Sequence, residues 1–231
     1  EKEMKPIYEP KGAAKEYGDY ALNIYTGCPH RCYYCFAPQV LHRDREQFHS
    51  IVEPRANIVE ETRKQLERED FRGKTIHLCF TCDPYPTGYD TTPTRKIIKL
   101  LKAHGAHVQI LTKGDGSRDF DLLDENDWYG VTLDGIGGLP AVGTKWMYDA
   151  KKRGIKTWIS FEPVCDEKNV LALLRLVGQS KIADRVKIGK LNYHPSSIDW
   201  AAFGRKAEEI CQKYGLDYYI KDSLRKEMEK P

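Results

Sequence analysis

The chain has 231 residues, of which 40% are hydrophobic and 31% charged. This length and composition are enough for one hydrophobic core, so we predict a single domain over 1–231 with an N-terminal extension over 1–19. It has no apolar run of about 18 residues and no secretory signal, so we exclude a membrane span and expect a cytoplasmic protein whose seven cysteines are reduced. A formal net charge of +3 neither requires nor excludes a nucleic-acid partner.

Short apolar segments bounded by turn residues predict strands, and amphipathic segments between them predict helices. The predicted strands are 21–26, 75–81, 107–112, 128–133, 156–161, 185–189 and 217–220. The predicted helices are 54–69, 93–104, 118–126, 141–153, 166–178 and 199–214. Strands and helices that alternate at this spacing indicate an α/β fold with parallel strands, either a partial barrel or a doubly wound sheet. In both arrangements the functional residues lie at the C-terminal ends of the strands.

Three predicted helices end in the same way. Gly105, Gly154 and Gly215 each follow a helix with basic side chains in its last turn, and each precedes a predicted strand. Glycine ends helices because it adopts the left-handed conformation at little cost, and cations stabilise the negative end of the helix dipole. This repeated boundary supports the alternation of helices and strands.

Three cysteines follow the first predicted strand. Cys28, Cys32 and Cys35 are spaced C-x3-C-x2-C within the stretch "YTGCPHRCYYCFAP". Three thiolates at this spacing can hold three irons of a cubane 4Fe–4S cluster and leave the fourth iron without a protein ligand. An open coordination site on a metal usually indicates chemistry, whereas a closed site usually indicates structure.

Two other interpretations of these cysteines stay open. A structural zinc site would need a fourth ligand, which His30 or the distant pair Cys79 and Cys82 could supply. A redox dithiol would use only the C-x2-C pair, Cys32 and Cys35, and would give the remaining cysteine of the motif no role.

The motif resembles the cluster motif of radical S-adenosylmethionine (radical SAM) enzymes, because an aromatic residue, Tyr34, precedes the third cysteine. The stretches "TCDPYPTG", "ILTKG" and "SRDFDLL" make the chain similar to the spore photoproduct lyase-like branch of that superfamily, over about residues 20–135. The resemblance implies one radical SAM domain with a partial (βα)6 TIM-like barrel of parallel strands and an extra C-terminal strand. Most members of the branch have no assigned substrate, so the resemblance does not imply a reaction.

The resemblance also implies cofactors and partners. In the superfamily, the fourth iron of a 4Fe–4S cluster chelates S-adenosylmethionine, and an electron from the cluster splits the sulfonium C–S bond. The products are methionine and a 5′-deoxyadenosyl radical, which abstracts a hydrogen from the substrate. The cluster ligands would be Cys28, Cys32 and Cys35, and the electron would come from an external donor such as flavodoxin or ferredoxin.

Further residues match positions that bind the cosubstrate in this superfamily. Tyr34 and Phe36 flank the cluster motif and are expected near the adenine. Asp83 lies at the end of the second strand, where the family contacts the methionyl amino group. Lys113 matches a lysine that reaches the methionyl carboxylate. Each of these residues also has a structural interpretation, as a core ring, a turn cap or a solvated lysine.

Two residues on later strands match less specifically. Thr132 lies where the family often has a hydroxyl near the ribose. Glu162 ends the fifth predicted strand and is expected to bind ribose hydroxyls or substrate. A β-branched residue in a strand and a carboxylate at the surface are also common without any function.

Two further cysteines lie near the end of the second predicted strand. Spore photoproduct lyase uses a cysteine near this strand end as a hydrogen donor, but the matching position here is Phe80, one residue after Cys79. This difference weakens the case for lyase chemistry. A spacing of three places Cys79 and Cys82 on opposite faces of an extended strand. We expect Cys82 to line the cosubstrate pocket as the catalytic residue, with hydrogen-atom donation as the bolder alternative, and Cys79 to be packed.

Two other classes of function are compatible with the sequence. An iron–sulfur electron-transfer or sensing protein would not need the Asp83 and Lys113 features. A nucleic-acid-binding protein could use the aromatic residues of "LNYHPSSIDW" for stacking. Anaerobic incubation with dithionite and S-adenosylmethionine separates the first alternative from a radical enzyme, because only a radical enzyme yields 5′-deoxyadenosine.

Overall fold

The computed structural model describes residues 5–136 and 141–230. The chain has two compact units, Glu1–Trp128 and Tyr129–Pro231. No helix in the described residues is long and apolar enough to cross a membrane.

The first unit is built on parallel strands joined by helices. Its strands are β1 (Ile7–Tyr8), β2 (Tyr20–Leu22), β3 (Thr75–Leu78) and β4 (His107–Thr112). Its helices are α1 (Ala37–Val40), α2 (Arg45–Ser50), α3 (Ile58–Arg68) and α4 (Thr92–Ala103), with two 3-10 helices over Gly12–Tyr17 and Ser117–Leu122. Strand β1 is antiparallel to β2, whereas β2, β3 and β4 are parallel. The register places Leu22 opposite Leu78 and Leu78 opposite Ile110, so the C-terminal ends of these three strands lie along one edge.

The core of the first unit follows from the alternation of side chains in β4. Val108 and Ile110 are fully buried, and helix α4 packs against this strand. Helix α4 contributes Ile97 and Leu101, which are also fully buried. Each such side chain contributes about 1.5–3 kcal/mol by leaving water, so this face holds the helix on the sheet.

The second unit is also built of alternating strands and helices. Its strands are β5 (Trp128–Thr132), which starts at the boundary, β6 (Lys156–Phe161), β7 (Arg185–Ile188) and β8 (Asp217–Ile220). Its helices are α5 (Ala141–Lys152), α6 (Glu167–Ser180), α7 (Trp200–Tyr214) and α8 (Asp222–Met228). Strands β6, β7 and β8 are parallel, with Phe161 opposite Ile188 and Ile188 opposite Ile220. The ring of Trp158 lies over Gly130, where an added Cβ would meet the indole at 2.2 Å.

The helix ends follow the sequence signals. Gly105, Gly154 and Gly215 have positive φ angles of 74°, 80° and 59°, which confirms their predicted role as left-handed caps. Helices α6 and α7 begin with Asp166 and Asp199, whose carboxylates accept a hydrogen bond from a backbone N–H in the first turn.

The structure confirms the predicted parallel α/β organisation and corrects several boundaries. The second predicted strand, 75–81, ends at Leu78, and the first, 21–26, ends at Leu22. The helix predicted over 118–126 is a 3-10 helix. The predictions missed β1, α1, α2 and α8, which are all short.

The predicted N-terminal extension, 1–19, is partly ordered structure, because it contains β1 and the first 3-10 helix. Its residues 1–4 lie outside the described part of the chain. The assignment of 1–231 to one domain stays a prediction.

Candidate active site

The loop that carries the three cysteines is fixed against helix α2. The backbone N–H of Cys28 donates to the carbonyl of Phe48, at 3.2 Å. At Gly27 an added Cβ would lie 2.3 Å from that same carbonyl oxygen and 2.4 Å from the carbonyl oxygen of Ile51. Only glycine allows this approach, so the contact sets where the loop begins.

The backbone carbonyls of all three cysteines are engaged by other groups. The imidazole Nδ1 of His49 lies 2.7 Å from the carbonyl oxygen of Cys28. The guanidinium of Arg45 donates to the carbonyls of Cys32 and Cys35. Because helix α2 supplies both His49 and Arg45, this helix fixes the backbone of the whole motif and leaves the thiols as its available ligands.

The protonation of these thiols fits a site that needs a metal. All three cysteines are half-buried, and none forms a disulfide. Burial raises the pKa of Cys28, with a further rise from the Asp83 carboxylate, and burial also raises the pKa of Cys35. The protein therefore does not stabilise the thiolates of Cys28 and Cys35 strongly by itself, and a bound metal would supply the missing positive charge.

The described residues also contain a group of possible ligands away from the cysteines. Among them, His107, Asp124 and Asp127 bring three ligand atoms within 4.8 Å of one another. The ammonium of Lys102 already lies 2.8 Å from Asp124 and 2.6 Å from Asp127, so this group is an ion-pair centre.

Asp83 joins the cysteine loop to two strand ends. Its carboxylate accepts hydrogen bonds from the backbone N–H groups of Tyr85 and Lys113, both at 2.8 Å, and from the hydroxyl of Thr112. The imidazole Nε2 of His30, inside the cysteine motif, lies 3.1 Å from the same carboxylate. These contacts tie the cysteine loop and the two strand ends to one carboxylate.

The charge of Asp83 is stabilised despite its burial. Burial raises the pKa of this carboxyl, but the His30 contact and the hydrogen bonds from Lys113 and Thr112 outweigh burial, and the net pKa is lowered. The ionised form is therefore the one that organises the loop.

Lys113 and Tyr34 come together beside the cysteine loop. The ammonium of Lys113 is exposed and lies 5.4 Å from the centre of the Tyr34 ring, within the range of a cation–π contact. The turn that carries Lys113 approaches Tyr85 closely, since a Cβ on Gly114 would lie 1.9 Å from the carbonyl oxygen of Tyr85. Lys113 is thus an accessible cation held next to the motif.

Cys79 and Cys82 do not lie on opposite faces of a strand, and that expectation is wrong. Strand β3 ends at Leu78, and both cysteines follow it in a turn. The side chain of Asn23 accepts hydrogen bonds from the backbone N–H groups of Phe80 and Thr81, at 2.8 and 2.9 Å, which turns the chain out of the strand.

In this turn the thiols of Cys79 and Cys82 share a hydrogen bond, and the backbone N–H of Tyr25 donates to the sulfur of Cys82 at 3.4 Å. Burial raises the pKa of both thiols. For Cys82, hydrogen bonds from Cys79 and from the backbone outweigh burial and lower the pKa, whereas the pKa of Cys79 is raised. Cys79 is thus the donor of this hydrogen bond, and Cys82 is its acceptor.

The remaining predicted residues occupy different positions. Phe36 precedes helix α1, and 47% of its surface is exposed. In the second unit, Thr132 ends β5 and is partly exposed. Glu162 follows β6, and its carboxylate forms an ion pair of 2.8 Å with the buried ammonium of Lys221, which follows β8. The carboxylate packs on Gly189, where a Cβ would lie 2.7 Å from it.

The sequence interpretation missed several residues that shape these sites. Arg45, His49 and Lys221 were not predicted, and His30 entered only as a zinc ligand. Lys221 could have been found, because it follows a strand as Lys113 does. Arg45 and His49 carry no comparable signal, since they act on backbone carbonyls.

Solved structures of other proteins share this fold. A point variant of spore photoproduct lyase aligns with a TM-score of 0.70 and 12% identity, over 92% of this chain and 78% of that chain. A variant with bound AdoMet and dinucleoside spore photoproduct has a TM-score of 0.61 and 15% identity, over 90% and 65%. Streptococcus suis SuiB bound to S-adenosylmethionine has a TM-score of 0.62 and 13% identity, over 87% and 50%. These likenesses confirm the predicted α/β fold of the TIM-like barrel type.

Curated relatives match part of the chain. The uncharacterized proteins Rv2578c of Mycobacterium tuberculosis and Mb2609c of Mycobacterium bovis are each 36% identical over 114 residues, which is 46% of this chain and 33% of theirs. The chain therefore spans about a third of the length of these relatives.

A family model described as the radical SAM superfamily matches residues 22–161. Because that match covers more than half of the chain and includes the cysteine loop, the chain belongs to the radical SAM superfamily.

Proposed function

We propose that this chain is a radical SAM enzyme in which Cys28, Cys32 and Cys35 hold a 4Fe–4S cluster with one iron open to S-adenosylmethionine. The observation that carries the proposal is the fixed cysteine loop, whose carbonyls are all engaged and whose thiols are left as ligands. When bound, the cluster would supply the electron that splits the cosubstrate and yields the 5′-deoxyadenosyl radical.

The residues around the loop have separate proposed roles. Lys113 pairs with the methionyl carboxylate, because its ammonium is exposed beside the motif. Tyr34 lies beneath the Lys113 ammonium and, with Phe36, contacts the adenine. Asp83 acts as a positioning residue through its hydrogen bonds, and the backbone at this position contacts the methionyl amino group. Cys82 lines the cosubstrate pocket as the catalytic thiol, supported by its lowered pKa.

The resemblance supports two further ligands in the second unit. Thr132 and Glu162 are proposed contacts of ribose hydroxyls, and both follow the rule that function lies at the C-terminal ends of parallel strands. The Lys221 ammonium orients the Glu162 carboxylate as an acceptor.

The partners are proposed more broadly. A flavodoxin or ferredoxin is the proposed electron donor, and the proposed location is the cytoplasm, where cysteines stay reduced. One structural neighbour is complexed with a dinucleoside spore photoproduct and another with the precursor peptide SuiA. Because these substrates differ in class, we assign neither a nucleic acid nor a peptide to this chain.

Iron content tests the proposed cluster. Anaerobic reconstitution should give about four irons per chain and a broad visible absorption. Replacement of Cys28, Cys32 or Cys35 by Ala should abolish this absorption, while Cys211→Ala, a buried cysteine in α7, should retain it. A reconstituted protein that binds zinc and no iron would contradict the proposal.

A further inference from the structure

Helix α2 presents two polar side chains to the cysteine loop from a single face. Arg45 and His49 are four residues apart, so they lie one turn apart on the same side of this helix. Arg45 donates to the carbonyls of Cys32 and Cys35, and the Nδ1 atom of His49 lies 2.7 Å from the carbonyl oxygen of Cys28. One helix face therefore serves the backbone carbonyls of all three proposed cluster ligands.

The contact of His49 with Cys28 has a fixed direction. A carbonyl oxygen can only accept, so the Nδ1 atom of His49 carries the hydrogen and donates it to Cys28. The side chain of His49 is buried, and its Nε2 atom has no hydrogen-bond partner in the described part of the chain. Within that part, the polar contact of this buried imidazole is thus the carbonyl of a proposed cluster ligand.

Arg45 differs from the arginine inside the motif. Arg31 binds Glu46 through both carboxylate oxygens, at 2.8 and 2.7 Å, so its charge is compensated. Among residues 5–136 and 141–230, no carboxylate forms an ion pair with Arg45. Its acidic neighbour Asp44 accepts the backbone N–H of Gln47 as the cap of α2. Arg45 therefore directs its positive charge at the carbonyls of the loop.

Donors and cations at these carbonyls have a predictable electrostatic effect. A one-electron reduction makes the cluster and its three thiolates more negative by one charge. A hydrogen bond to a ligand's carbonyl offsets the partial negative charge of that oxygen, and a guanidinium adds a full positive charge. Hydrogen bonds and net charge around an iron–sulfur cluster are among the properties that set its reduction potential. Both side chains should therefore favour the reduced state.

We propose that Arg45 and His49 are positioning residues that raise the reduction potential of the cluster through the backbone of its ligands. The inference rests on the proposed function, because it requires a cluster on Cys28, Cys32 and Cys35. Neither side chain has to touch the cluster or S-adenosylmethionine. Arg45 acts through its charge and two hydrogen bonds, and His49 acts through one buried hydrogen bond.

Paired substitutions separate these effects from the fold. Arg45→Met removes the charge and the donors, whereas Arg45→Lys keeps the charge. His49→Leu removes the buried donor, whereas His49→Asn offers an amide nitrogen close to the position of Nδ1. Arg175→Met on α6 is the matched control, because Arg175 is also an exposed arginine on a helix. Arg45 is exposed, so its variants should fold even if those of the buried His49 do not.

The measurement is a reductive titration of the reconstituted chain without S-adenosylmethionine. Redox mediators set the potential, and electron paramagnetic resonance gives the fraction of reduced cluster. We expect Arg45→Met and His49→Leu each to lower the equilibrium constant for reduction by about threefold to tenfold, the effect of one hydrogen bond. At 59 mV per tenfold change for one electron, this is about 28–59 mV. Arg175→Met should change the constant by about 1.5-fold or less.

The conservative variants and the salt dependence sharpen the result. Arg45→Lys and His49→Asn should each recover at least about half of the shift in potential, and added salt should reduce the effect of Arg45→Met. Equal potentials in Arg45→Met, His49→Leu and Arg175→Met would overturn the inference. A loss of iron with an unchanged potential in the remaining clusters would also overturn it, because that result indicates a structural role alone.

A second measurement uses the metal-free chain. Hydrogen exchange of the segment 28–36 should be about threefold or more faster in Arg45→Met than in Arg175→Met, because Arg45 holds two carbonyls of that segment. Equal exchange rates would also overturn the inference. A wild-type chain that binds no iron would contradict the proposed function and the inference together. A wild-type chain that binds iron and forms 5′-deoxyadenosine, with equal potentials in all variants, would contradict the inference alone.

Discussion

The Asp83 carboxylate connects residues that are far apart in the chain. His30 lies in the cysteine loop, Tyr85 follows β3, Thr112 ends β4 and Lys113 follows it. A single buried carboxylate thus determines where the loop lies relative to two strands. The cosubstrate contact that the family resemblance implies for Asp83 stays a prediction.

Asp83→Asn should destabilise the first unit while it preserves side-chain volume. The amide nitrogen would face donors where an oxygen accepts now, so we expect the free energy of unfolding to fall by about 1–3 kcal/mol. Urea denaturation of the metal-free chain measures this change. Asp115→Asn is the control, because Asp115 is exposed. An Asp83→Asn variant as stable as the control would contradict the role of Asp83 as a hub.

The pH dependence of stability should report the same carboxylate. The folded pKa of Asp83 is lowered, so its stabilisation is present above the unfolded pKa of about 3.9 and is lost as the pH falls below that value. Between about pH 5 and pH 3 the metal-free wild type should therefore lose more stability than Asp83→Asn. Parallel loss in the two proteins would show that other groups control acid unfolding.

Lys113→Met should weaken cosubstrate binding without loss of the cluster. If the ammonium pairs with the methionyl carboxylate, binding should weaken by about 1.5–3 kcal/mol, the range for hydrogen bonds to charged groups. Lys96→Met, at an exposed position of α4, is the control. Calorimetric titration with S-adenosylmethionine gives the affinity, and an unchanged affinity would make Lys113 an ordinary surface lysine.

The paired thiols of Cys79 and Cys82 should act as a unit. We expect Cys82→Ala to impair cosubstrate binding or turnover and Cys79→Ala to reduce stability, with iron content retained in both. Because the thiols share a hydrogen bond, a double-mutant cycle should give a coupling energy of at least about 0.5 kcal/mol. Additive effects would indicate that the two cysteines are independent.

At the scale of elements, the contact between the cysteine loop and helix α2 depends on Gly27. A methyl group there would lie within 2.4 Å of two backbone carbonyl oxygens, so Gly27→Ala must separate the loop from the helix. We expect a loss of about 1–3 kcal/mol in stability and a lower iron content after reconstitution. Gly18→Ala is the control, because a Cβ added there would meet nothing within 4 Å. Full iron content in Gly27→Ala would contradict this account.

At the scale of the whole molecule, the sequence predicted the features that depend on neighbouring residues. It did not predict the features that depend on contacts between distant residues. The glycine caps and the bounds of β4 depend on neighbouring residues, and both are confirmed. Strand β3 ends early because Asn23, more than 50 residues away, accepts the N–H groups of Phe80 and Thr81. No local pattern contains that contact.

In the candidate site, too, the local features could be predicted from the sequence and the long-range contacts could not. The cysteine spacing is local and predicted the motif, which the family match supports. The contacts of Arg45 with two cysteine carbonyls and of Lys221 with Glu162 join separate segments, and they require the fold to be known. The assignment of 1–231 to one domain also stays a prediction, and a single urea transition seen by two probes would support it.

The most direct test of the central claim is the formation of 5′-deoxyadenosine. The reconstituted chain is incubated without oxygen with dithionite and S-adenosylmethionine, and the nucleosides are separated by chromatography. We predict 5′-deoxyadenosine from the wild type and from Cys211→Ala, and none from Cys28→Ala, Cys32→Ala or Cys35→Ala. A wild-type chain that binds iron, is reduced by dithionite and forms no 5′-deoxyadenosine would contradict the claim, and would favour an iron–sulfur electron-transfer or sensing protein.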